Sequence, residues 1–406
     1  MTTTSFSVED FIAKHVTFRS QSLFAADLAA HDAELRAGIA GKSVLVIGGA
    51  GTIGSSFIHA VLRYEPARLF VVDLSENGLT ELTRDLRSAE GQFIPDDFKT
   101  YPISFGDPVF DRMLRAEGPF DIVAHFAAHK HVRSEKDRYS IEAMVENNVA
   151  NSVHLLDLML ELPPEHFFCV STDKAANPAN VMGASKKLME EAVLAYASEL
   201  PATTARFANV AFSNGSLPAG FLERIAKGQP LTAPSDIRRY FVSPAESGEL
   251  CLLACVTGQS SDIFFPRLDE PRMLTFATIA DAFLAELGLT PDHCSSEDEA
   301  KARAAARQPD DTTWPVYYFE SDTSGEKSFE EFHTDDEVVD LERFEALGVV
   351  KAVSSQSIAG IRSTVADLRA LFAQQELPKE DIVAALSRLV PTFQHVETGK
   401  SLDSKM

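Results

Sequence analysis

The chain has 406 residues, which at roughly 150 residues per domain predicts two to three domains with a core that needs no disulfide or metal support. Its 37 Lys and Arg against 60 Asp and Glu give a formal net charge of −23, and such a field repels nucleic acids and anionic membrane surfaces. Small disulfide scaffolds and polyanion-binding proteins are therefore excluded. A small anionic ligand remains compatible with this charge, because a local site is built from a few nearby dipoles.

The cysteines predict buried free thiols in a reducing compartment. Cys169, Cys251, Cys255 and Cys294 lack CxxC spacing, so they form neither a disulfide framework nor a zinc signature. The N-terminus has no basic flank followed by an apolar run, and the longest apolar stretches fall far short of the roughly 20 residues that a bilayer span needs. We therefore expect a cytoplasmic protein with no membrane or nucleic-acid partner.

Short apolar strands alternate with helical patterns from residue 43 onward. The predicted strands are residues 43–47, 69–73, 101–104, 121–126, 166–171 and 203–207; helices start at 55, 77 and near 111, and two long ones cover 141–160 and 182–198. Strands and helices alternating at this spacing form right-handed βαβ units. The sequence therefore predicts an α/β fold whose doubly wound parallel (Rossmann) sheet occupies residues 41–210, as an NAD(P)-binding domain.

Three further segments flank this predicted sheet. Residues 1–40 carry apolar residues at loosely helical spacing, which predicts a helical N-terminal arm packing on the body or on a second subunit. Prolines interrupt the chain after 210, so residues 211–375 are predicted to form a smaller mixed substrate-binding lobe with some segments returning to the Rossmann domain. Residues 376–406 are predicted to be a C-terminal helical tail.

A glycine-rich loop follows the first predicted strand, with glycines at Gly48, Gly51 and Gly54. Such a loop lets the backbone turn tightly, approach a pyrophosphate and direct the free amides of the next helix at the anion. The second strand ends at Asp73, 19 residues after the last glycine, where a carboxylate accepts hydrogen bonds from an adenosine ribose. The pattern predicts a dinucleotide site; the alternative is a glycine turn with a capping aspartate.

The same aspartate favours NAD over NADP as the cofactor. A 2′-phosphate beside the carboxylate of Asp73 would be repelled. Arg84 and Arg87 lie on the following predicted helix, and their positive charge weakens this preference.

The fifth predicted strand leads into Thr172, Asp173 and Lys174, where a doubly wound sheet holds its ligand crevice. Met182 and Lys186 follow, four residues apart on one face of the next helix. A carboxyl group beside an amine in a cleft that holds a nicotinamide can supply the general acid and base for elimination of water. The alternative is a helix N-cap with a surface ion pair.

Three histidines, His125, His129 and His131, raise the possibility of a metal site. The first lies in a predicted strand, and no carboxylate or cysteine stands at ligand spacing. We therefore predict no metal.

Several strings carry a resemblance to a known family. They are STDKAANPANVMGASK at 171–186, AAHKHV at 127–132, RFANVAFSNGS at 206–216, DIRRYF at 236–241 and SGEKSFEEF at 324–332. With the GxxGxxG spacing of the glycine loop, the chain resembles the extended short-chain dehydrogenase/reductases, and among them the nucleotide-sugar 4,6-dehydratases of the polysaccharide-biosynthesis group that act on UDP-N-acetylglucosamine. The likeness runs in order from about residue 41 to 350.

The resemblance implies a three-step cycle on a tightly bound, recycled NAD(P): oxidation at sugar C4, loss of water across C5 and C6, and return of the hydride to C6. By position, Asp173 is the acid, Lys174 is the C5 base and Thr172 hydrogen-bonds the C4 hydroxyl. Lys186 would hold the nicotinamide ribose.

The resemblance also implies the binding residues. For the cofactor they are Gly48, Ala50, Gly51, Thr52, Ile53, Gly54, Asp73, Ser75, Asn77, Asp107, Ala127, Ala128, Lys130, Asn147 and Lys186. For a nucleotide-sugar they are Lys130, His131, Asn209, Ser216 and Arg239. Arg239 suits a bidentate clamp on the UDP diphosphate, the alternative being a surface arginine pair with Arg238.

The chain departs from the general short-chain pattern at Met182, where a tyrosine normally stands four residues before the lysine. Methionine has no proton to give or take. The retaining branch of the dehydratases carries methionine there, so the resemblance implies retention at C5. The group that deprotonates the C4 hydroxyl is then Asp173, Lys174 or a water held by Thr172 and Lys186.

We therefore expect a cytoplasmic NAD-dependent UDP-N-acetylglucosamine 4,6-dehydratase, or a relative using another nucleotide-sugar, for surface-glycan synthesis. It would be a homo-oligomer that associates through the two long predicted helices. A nucleotide-sugar 4-epimerase on the same scaffold is one alternative, although it needs the tyrosine and has no use for Asp173 and Lys174. A non-catalytic dinucleotide-binding sensor or scaffold is an alternative of another class.

Overall fold

The computed structural model describes residues 6–268, 270–321, 327, 329 and 331–396. Its strands are β1 (Ser43–Ile47), β2 (Arg68–Val72), β3 (Asp97–Tyr101), β4 (Ile122–His125), β5 (His166–Val170), β6 (Ala202–Ala205), β7 (Asn209–Val210), β8 (Leu231–Pro234), β9 (Arg238–Arg239), β10 (Phe241–Val242), β11 (Asp262–Pro266), β12 (Leu274–Thr275), β13 (Thr290–His293), β14 (Thr313–Phe319), β15 (Val339–Asp340) and β16 (Leu347–Lys351). Its helices are α1 (Val8–Phe11), α2 (Ala25–Ala30), α3 (Asp32–Ile39), α4 (Thr52–Leu62), α5 (Glu76–Ser88), α6 (Pro108–Glu117), α7 (Arg138–Val145), α8 (Asn151–Glu161), α9 (Val181–Tyr196), α10 (Leu217–Ala226), α11 (Pro244–Val256), α12 (Phe276–Glu286), α13 (Glu297–Ala306), α14 (Ile358–Phe372) and α15 (Lys379–Leu389).

A nine-stranded sheet forms the centre of the described chain, in the order β15-β16-β11-β6-β5-β4-β1-β2-β3. From β3 to β11 every neighbouring pair is parallel, whereas β16 pairs antiparallel with β11 and with β15. The predicted doubly wound, mostly parallel α/β fold is confirmed. The strand order reverses between β1 and β4, so a ligand crevice lies at their carboxyl ends.

Strand β1 shows why the central strands are continuous apolar runs. Leu45 and Ile47 pack into a cluster with α6, α7, α8 and α9, while Val44 and Val46 pack into a second cluster with α4, α5 and α11. Because helices cover both faces of the parallel sheet, neither set of alternating side chains meets water.

The third strand differs from its prediction. It was expected at residues 101–104, but β3 ends where that range begins. Its polar residues are paired at the sheet edge: Asp97 accepts a hydrogen bond from Arg68 at 2.7 Å, and Lys99 donates to Glu117 at 3.2 Å. Charged residues are tolerated on an edge strand, so the apolar signal was too weak to locate it.

The long helix predicted at 141–160 is helical throughout but is not a regular α-helix. A π-helical turn, Glu146–Ala150, separates α7 from α8. The other long predicted helix corresponds to α9, as expected from its apolar periodicity.

Residues after 210 contribute both to a smaller lobe and to the main sheet. In the lobe, β13, β14 and β8 form a three-stranded parallel sheet, and the short strands pair as β10 with β7 and β12 with β9. Strands β11, β15 and β16 extend the main sheet, and α11 packs against α4. The four cysteines are free and buried, as predicted.

Both ends of the described chain pack on its own body. In the N-terminal arm, Phe11 and Ile12 join the lobe core, whereas Leu35 and Ile39 join the core under the sheet. At the other end, α14 and α15 pack on α9, and α14 also packs on α8. The chain therefore covers part of the two helices through which we expected subunits to associate.

Candidate functional site

The glycine loop joins β1 to α4 at the carboxyl end of the sheet. Gly48 has a φ of +80°, and a Cβ there would lie 2.4 Å from the backbone nitrogen of Ala127. A Cβ on Gly54 would lie 2.3 Å from the carbonyl oxygen of Gly48. Both distances are far below van der Waals contact, so only glycine permits the turn and the close approach of helix to strand.

The N-terminus of α4 is open to a ligand. The helix begins at Thr52 after Gly51, whose N-cap position supplies no side-chain hydrogen bond to the first amides. A Cβ on Gly51 would meet only the Gly48 carbonyl oxygen, at 3.5 Å. Free amides and the helix dipole attract an anion, and the missing side chain leaves it room. The loop therefore fits a pyrophosphate.

Asp73 follows β2 and lies beside the glycine loop. Its carboxylate accepts hydrogen bonds from the amide of Ala50 at 3.0 Å and from the amide of Ser75 at 2.9 Å. These bonds fix the carboxylate at the rim of the cleft. Carboxylate oxygens have several lone pairs, so Asp73 can also accept from a ligand's hydroxyl groups.

The cleft has a cavity volume of about 240 Å³. Among the predicted cofactor residues, the structure brings together Gly48, Gly51, Thr52, Ile53, Gly54, Asp73, Ala127, Ala128, Lys130 and Asn147 along its walls. Ile103, Ser104, Phe105 and His129 also line it. Sequence reasoning named only His129 among these four, and only as a possible metal ligand. Ala50 and Ser75 reach it only through Asp73. Asn77, in the first turn of α5, and Asp107, the N-cap of α6, do not line it.

The π-helical turn Glu146–Ala150 brings two asparagines to this region. Asn147 lines the cleft. Asn148 is buried; its Oδ1 accepts from the amide of His129 at 2.8 Å, and its Nδ2 donates to the His129 carbonyl at 2.9 Å and to Ser185 Oγ at 3.1 Å. Asn148 thus ties the loop after β4 to α9. Such π turns are frequent at functional sites.

Three hydrogen bonds converge on one carboxylate oxygen at the carboxyl end of β5. The Oδ1 atom of Asp173 accepts from the Thr172 hydroxyl at 2.9 Å, the Lys174 amide at 2.9 Å and the Lys174 Nζ at 3.0 Å. The side chains of Asp173 and Lys174 are only 7% and 18% exposed. Thr172 does cap a 3-10 turn, but the ion pair beside it is largely removed from water and is not a surface pair.

Met182 and Lys186 lie buried on the first turns of α9. The Nζ of Lys186 donates to the carbonyl of Val170 at 2.6 Å and lies 3.2 Å from the sulfur of Met189. Burial lowers the pKa of Lys186. The ammonium group of Lys186 has three N–H donors, so it can bond a ribose hydroxyl as well as the Val170 carbonyl. Its role in holding the nicotinamide ribose stays a prediction.

The loop around Asn214 lies against the predicted substrate residues. Lys130 Nζ donates to the Asn214 carbonyl at 2.9 Å, and the Asn214 amide donates to the Thr52 hydroxyl at 2.9 Å. A Cβ on Gly215 would be 3.1 Å from the His131 ring. The loop therefore joins α4 of the cofactor cleft to the lobe.

The other predicted substrate residues serve the local backbone in this structure. Ser216 caps α10 by accepting from the Ala219 amide at 3.3 Å, and Asn209 donates its own amide to the Tyr240 carbonyl at 3.0 Å. Arg239 is buried, with only 5% of the residue exposed. It is therefore not part of a surface arginine pair, and its contact with a diphosphate stays a prediction.

The string at 324–332 lies largely outside the described residues, but Lys327 is described. Its Nζ donates to the Asn177 carbonyl at 2.5 Å, and its own carbonyl accepts from Arg239 at 3.0 Å. Asn177 Nδ2 donates to Glu331 at 2.9 Å. This segment therefore connects Arg239 with the loop that follows Lys174.

Sequence reasoning missed a buried charge network beneath the site. Arg206 is fully buried and forms two hydrogen bonds to Glu190, both at 2.9 Å, and two to Glu337, at 2.7 and 2.8 Å. The Ser171 hydroxyl donates to Glu190 at 2.6 Å. The RFANV string contains the arginine, but its partners stand 16 and 131 residues away. No local spacing reveals such a pairing.

The described part of the chain offers neither a metal site nor a membrane span. No group of three His, Cys, Asp or Glu side chains could hold a metal there, and His125 is buried against Phe105 and Ser152. Nor does any helix among these residues have the length and apolar character to cross a bilayer.

The fold and the site define a Rossmann-type α/β protein with a dinucleotide-type glycine loop at the switch point of its sheet. Residues 44–352 match the family described as "Polysaccharide biosynthesis protein". The chain belongs to this family. The resemblance to the polysaccharide-biosynthesis group, inferred from the short strings, is thereby confirmed.

The relatives include nucleotide-sugar dehydratases and epimerases. An uncharacterized membrane protein of Methanocaldococcus jannaschii is 30% identical over 76% of this chain and 85% of its own, and the probable polysaccharide biosynthesis protein EpsC of Bacillus subtilis is 31% identical over 57% of this chain. The chain spans only 39% of the length of EpsC. The inverting UDP-N-acetylglucosamine 4,6-dehydratase of Campylobacter jejuni is 24% identical over 58% of this chain and 70% of its own. A UDP-glucose 4-epimerase of Rickettsia canadensis is 28% identical over 59% of this chain and 70% of its own.

Solved structures share the fold. Pen from Bacillus thuringiensis superposes with a TM-score of 0.61 and 21% identity, covering 87% of this chain and 98% of its own. DesIV, a dTDP-glucose 4,6-dehydratase from Streptomyces venezuelae solved with NAD and TYD, superposes with a TM-score of 0.54 and 19% identity. The match covers 80% of this chain and 97% of DesIV. At these identities the likeness concerns the fold.

Proposed function

We propose that this protein is an NAD-dependent nucleotide-sugar 4,6-dehydratase for surface-glycan synthesis. Its substrate would be UDP-N-acetylglucosamine and its product UDP-2-acetamido-2,6-dideoxy-hexos-4-ulose with C5 retained. The observation that carries the proposal is the Asp173–Lys174 pair after β5, which is largely removed from water, in a chain whose next helix has Met182 in place of tyrosine. An acid beside a base suits elimination of water, a step that an epimerase does not perform.

The glycine loop supports a dinucleotide cofactor, tightly bound and recycled. The pyrophosphate would lie on the first amides of α4, the adenosine ribose on Asp73 and the nicotinamide ribose on Lys186. When bound, the nicotinamide supplies hydride acceptance from C4 and hydride return to C6. The Asp73 carboxylate would repel a 2′-phosphate, which favours NAD over NADP.

Lys174 and Asp173 would carry the protons of the elimination. The neutral amine of Lys174 takes the C5 proton, which oxidation at C4 has made acidic. The carboxylic acid of Asp173 protonates the C6 hydroxyl, which leaves as water. The hydrogen bond of 3.0 Å between the two side chains keeps both groups on one side of the substrate.

Proton balance favours Asp173 as the base for the C4 hydroxyl. This hydroxyl releases one proton on oxidation, and the C6 hydroxyl needs one to leave as water. If the Asp173 carboxylate carries that proton from C4 to C6 while Lys174 takes and returns the C5 proton, both groups end the cycle as they began. Thr172, bonded to Asp173 Oδ1, is placed to orient the C4 hydroxyl.

We assign the nucleotide-sugar to Lys130, His131, Asn209, Ser216 and Arg239. Arg239 supports this assignment because its buried guanidinium is already oriented by the Lys327 carbonyl, and a planar fork of donors matches a diphosphate.

The proposal predicts a specific isotopic result. Purified protein incubated with UDP-N-acetylglucosamine in D₂O should yield a 4-keto-6-deoxy sugar with deuterium at C5, since the Lys174 ammonium exchanges with solvent before it returns the proton. NMR of the product measures this. Formation of the C4 epimer instead would support the epimerase, and no turnover over a panel of nucleotide-sugars would support the non-catalytic alternative.

A second prediction tests the cofactor cleft. Gly51→Val should weaken NAD binding by at least about tenfold because the side chain would project into the space for the pyrophosphate. The unfolding midpoint should change little, since no other atom crowds this position. Calorimetry with NAD and thermal unfolding measure the two quantities.

The matched control is Gly220→Val in α10, where a Cβ meets nothing within 4 Å. It should bind NAD as the wild type does. Wild-type affinity in Gly51→Val would contradict the placement of the cofactor.

A further inference from the structure

The end of the described chain lies against the active-site loop. After α15, the C-terminal segment (residues 390–396) is anchored by Phe393, which is buried in the same cluster as α9. The amide of Gln394 then donates to the Pro178 carbonyl at 3.0 Å, and the amide of Val396 donates to the Ala179 carbonyl at 3.1 Å. These carbonyls belong to the loop between Lys174 and α9.

A buried carboxylate links the same segment to the start of α9. Glu135 is the last residue of the 3-10 turn Val132–Glu135, and it is 7% exposed. Its Oε2 accepts from the amide of Val181, the first residue of α9, at 2.7 Å. Its Oε1 is hydrogen-bonded to His395 Nε2 and lies 3.4 Å from Lys379 Nζ. Residues from α15 and the C-terminal segment thus hold Glu135 on the helix N-terminus, where a negative charge is favourable.

The loop is held on its other side by a different part of the chain. Lys327 Nζ donates to the Asn177 carbonyl at 2.5 Å, and Glu331 accepts from the Asn177 side chain at 2.9 Å. The short chain between Asp173 and Val181 is therefore bonded by two segments far away in sequence. It joins the Asp173–Lys174 pair to the helix that carries Met182 and Lys186.

We propose that the C-terminal segment is a positioning element of the active site, acting through the Pro178 and Ala179 carbonyls and through the Glu135–His395 bond. It sets the placement of the Asp173–Lys174 pair relative to α9. Glu135 and His395 are positioning residues. This inference rests on the proposed function only for its effect on turnover, because the contacts themselves are independent of the reaction.

The main test removes one backbone donor. Val396 is exposed, so the side-chain change in Val396→Ala or Val396→Pro should have little effect by itself. Only the proline lacks the N–H that bonds Ala179. Val396→Pro should lower kcat about tenfold or more, since small displacements of reacting groups are costly. The affinity for NAD should stay within about twofold, because the glycine loop is not touched. Hydrogen exchange of residues 176–182 should become faster than in Val396→Ala.

Side-chain variants test the second link. Glu135→Gln keeps an oxygen that can accept from Val181, whereas Glu135→Ala removes it, so the glutamine should recover part of the kcat that the alanine loses. His395→Ala should also lower kcat, as Glu135→Ala does. Gln394→Ala is the matched control, because the exposed Gln394 bonds the loop through its backbone amide alone.

The result that overturns the proposal is equal kcat and equal exchange of residues 176–182 in Val396→Pro and Val396→Ala. Thermal unfolding midpoints of the variants show whether a loss of kcat reflects global unfolding. If the loss of kcat across the variants parallels the fall in their unfolding midpoints, this would also contradict the positioning role. If the wild type dehydrates no nucleotide-sugar, the proposed function fails. The exchange comparison would still decide whether the segment orders the loop.

Discussion

Arg206→Met is expected to destabilise the protein by about 3–5 kcal/mol. The guanidinium is fully buried between Glu190 and Glu337, so its removal leaves two carboxylates without their main charge partner. Burial alone would raise the pKa of Glu190, but the charges of Arg206 and Lys187 and hydrogen bonds from Arg206 and Ser171 lower it to about 2. Urea unfolding at neutral pH measures the loss.

The pH dependence gives this prediction a second readout. A carboxyl whose pKa is lowered by folding stabilises the fold above its unfolded pKa, about 4.3, and that contribution is lost as the pH falls towards 2. The difference in the free energy of unfolding between wild type and Arg206→Met should therefore be largest near neutral pH. It should become smaller below about pH 4. Adding Glu190→Gln to the variant should restore part of the stability, because one unpaired charge is removed. A loss below about 1 kcal/mol at neutral pH would contradict this account.

Asp173→Asn is expected to lower kcat for dehydration by about 10²–10⁴-fold. The amide has the shape of the carboxyl group but cannot carry a proton from the C4 hydroxyl to the C6 hydroxyl. The bonds from Thr172 and Lys174 to the side-chain oxygen can persist, so the fold should be retained. Steady-state kinetics by NMR, together with thermal unfolding, measure the two effects.

Two companion variants make this result specific. Lys174→Met should abolish deuterium entry at C5, because no amine remains to take that proton. Asp310→Asn makes the same chemical change at an exposed position and should leave kcat unchanged. Turnover of Asp173→Asn at the wild-type rate would exclude the assigned acid, whatever the identity of the sugar.

Much of the fold is predictable from the chain because its signals are local. The strands are buried on both faces and read as apolar runs, and helices of ordinary length separate them. The glycine loop is equally local: the positive φ of Gly48 and the contact of Gly54 with the Gly48 carbonyl both arise within a single strand–turn–helix unit. The edge strand β3 was misplaced because its alternating charges are matched by Arg68 and Glu117, which stand outside its own segment.

The site was predictable in part for the same reason. Asp173 and Lys174 are neighbours in sequence and follow a strand, so their pairing could be anticipated. Their removal from water could not, because burial depends on elements packed around them. Asn148 was missed since its role arises from a π turn that apolar periodicity does not reveal.

The net charge of −23, the doubly wound parallel sheet and the residues that follow its strands could be derived from the sequence alone. These features depend on composition and on short-range periodicity. Only the tertiary structure decided that Arg206 is neutralised by two distant glutamates and that Glu135 and His395 hold the start of α9. Such contacts join residues that lie from 16 to 260 positions apart. They form because buried charges and backbone amides must find partners wherever the fold places them.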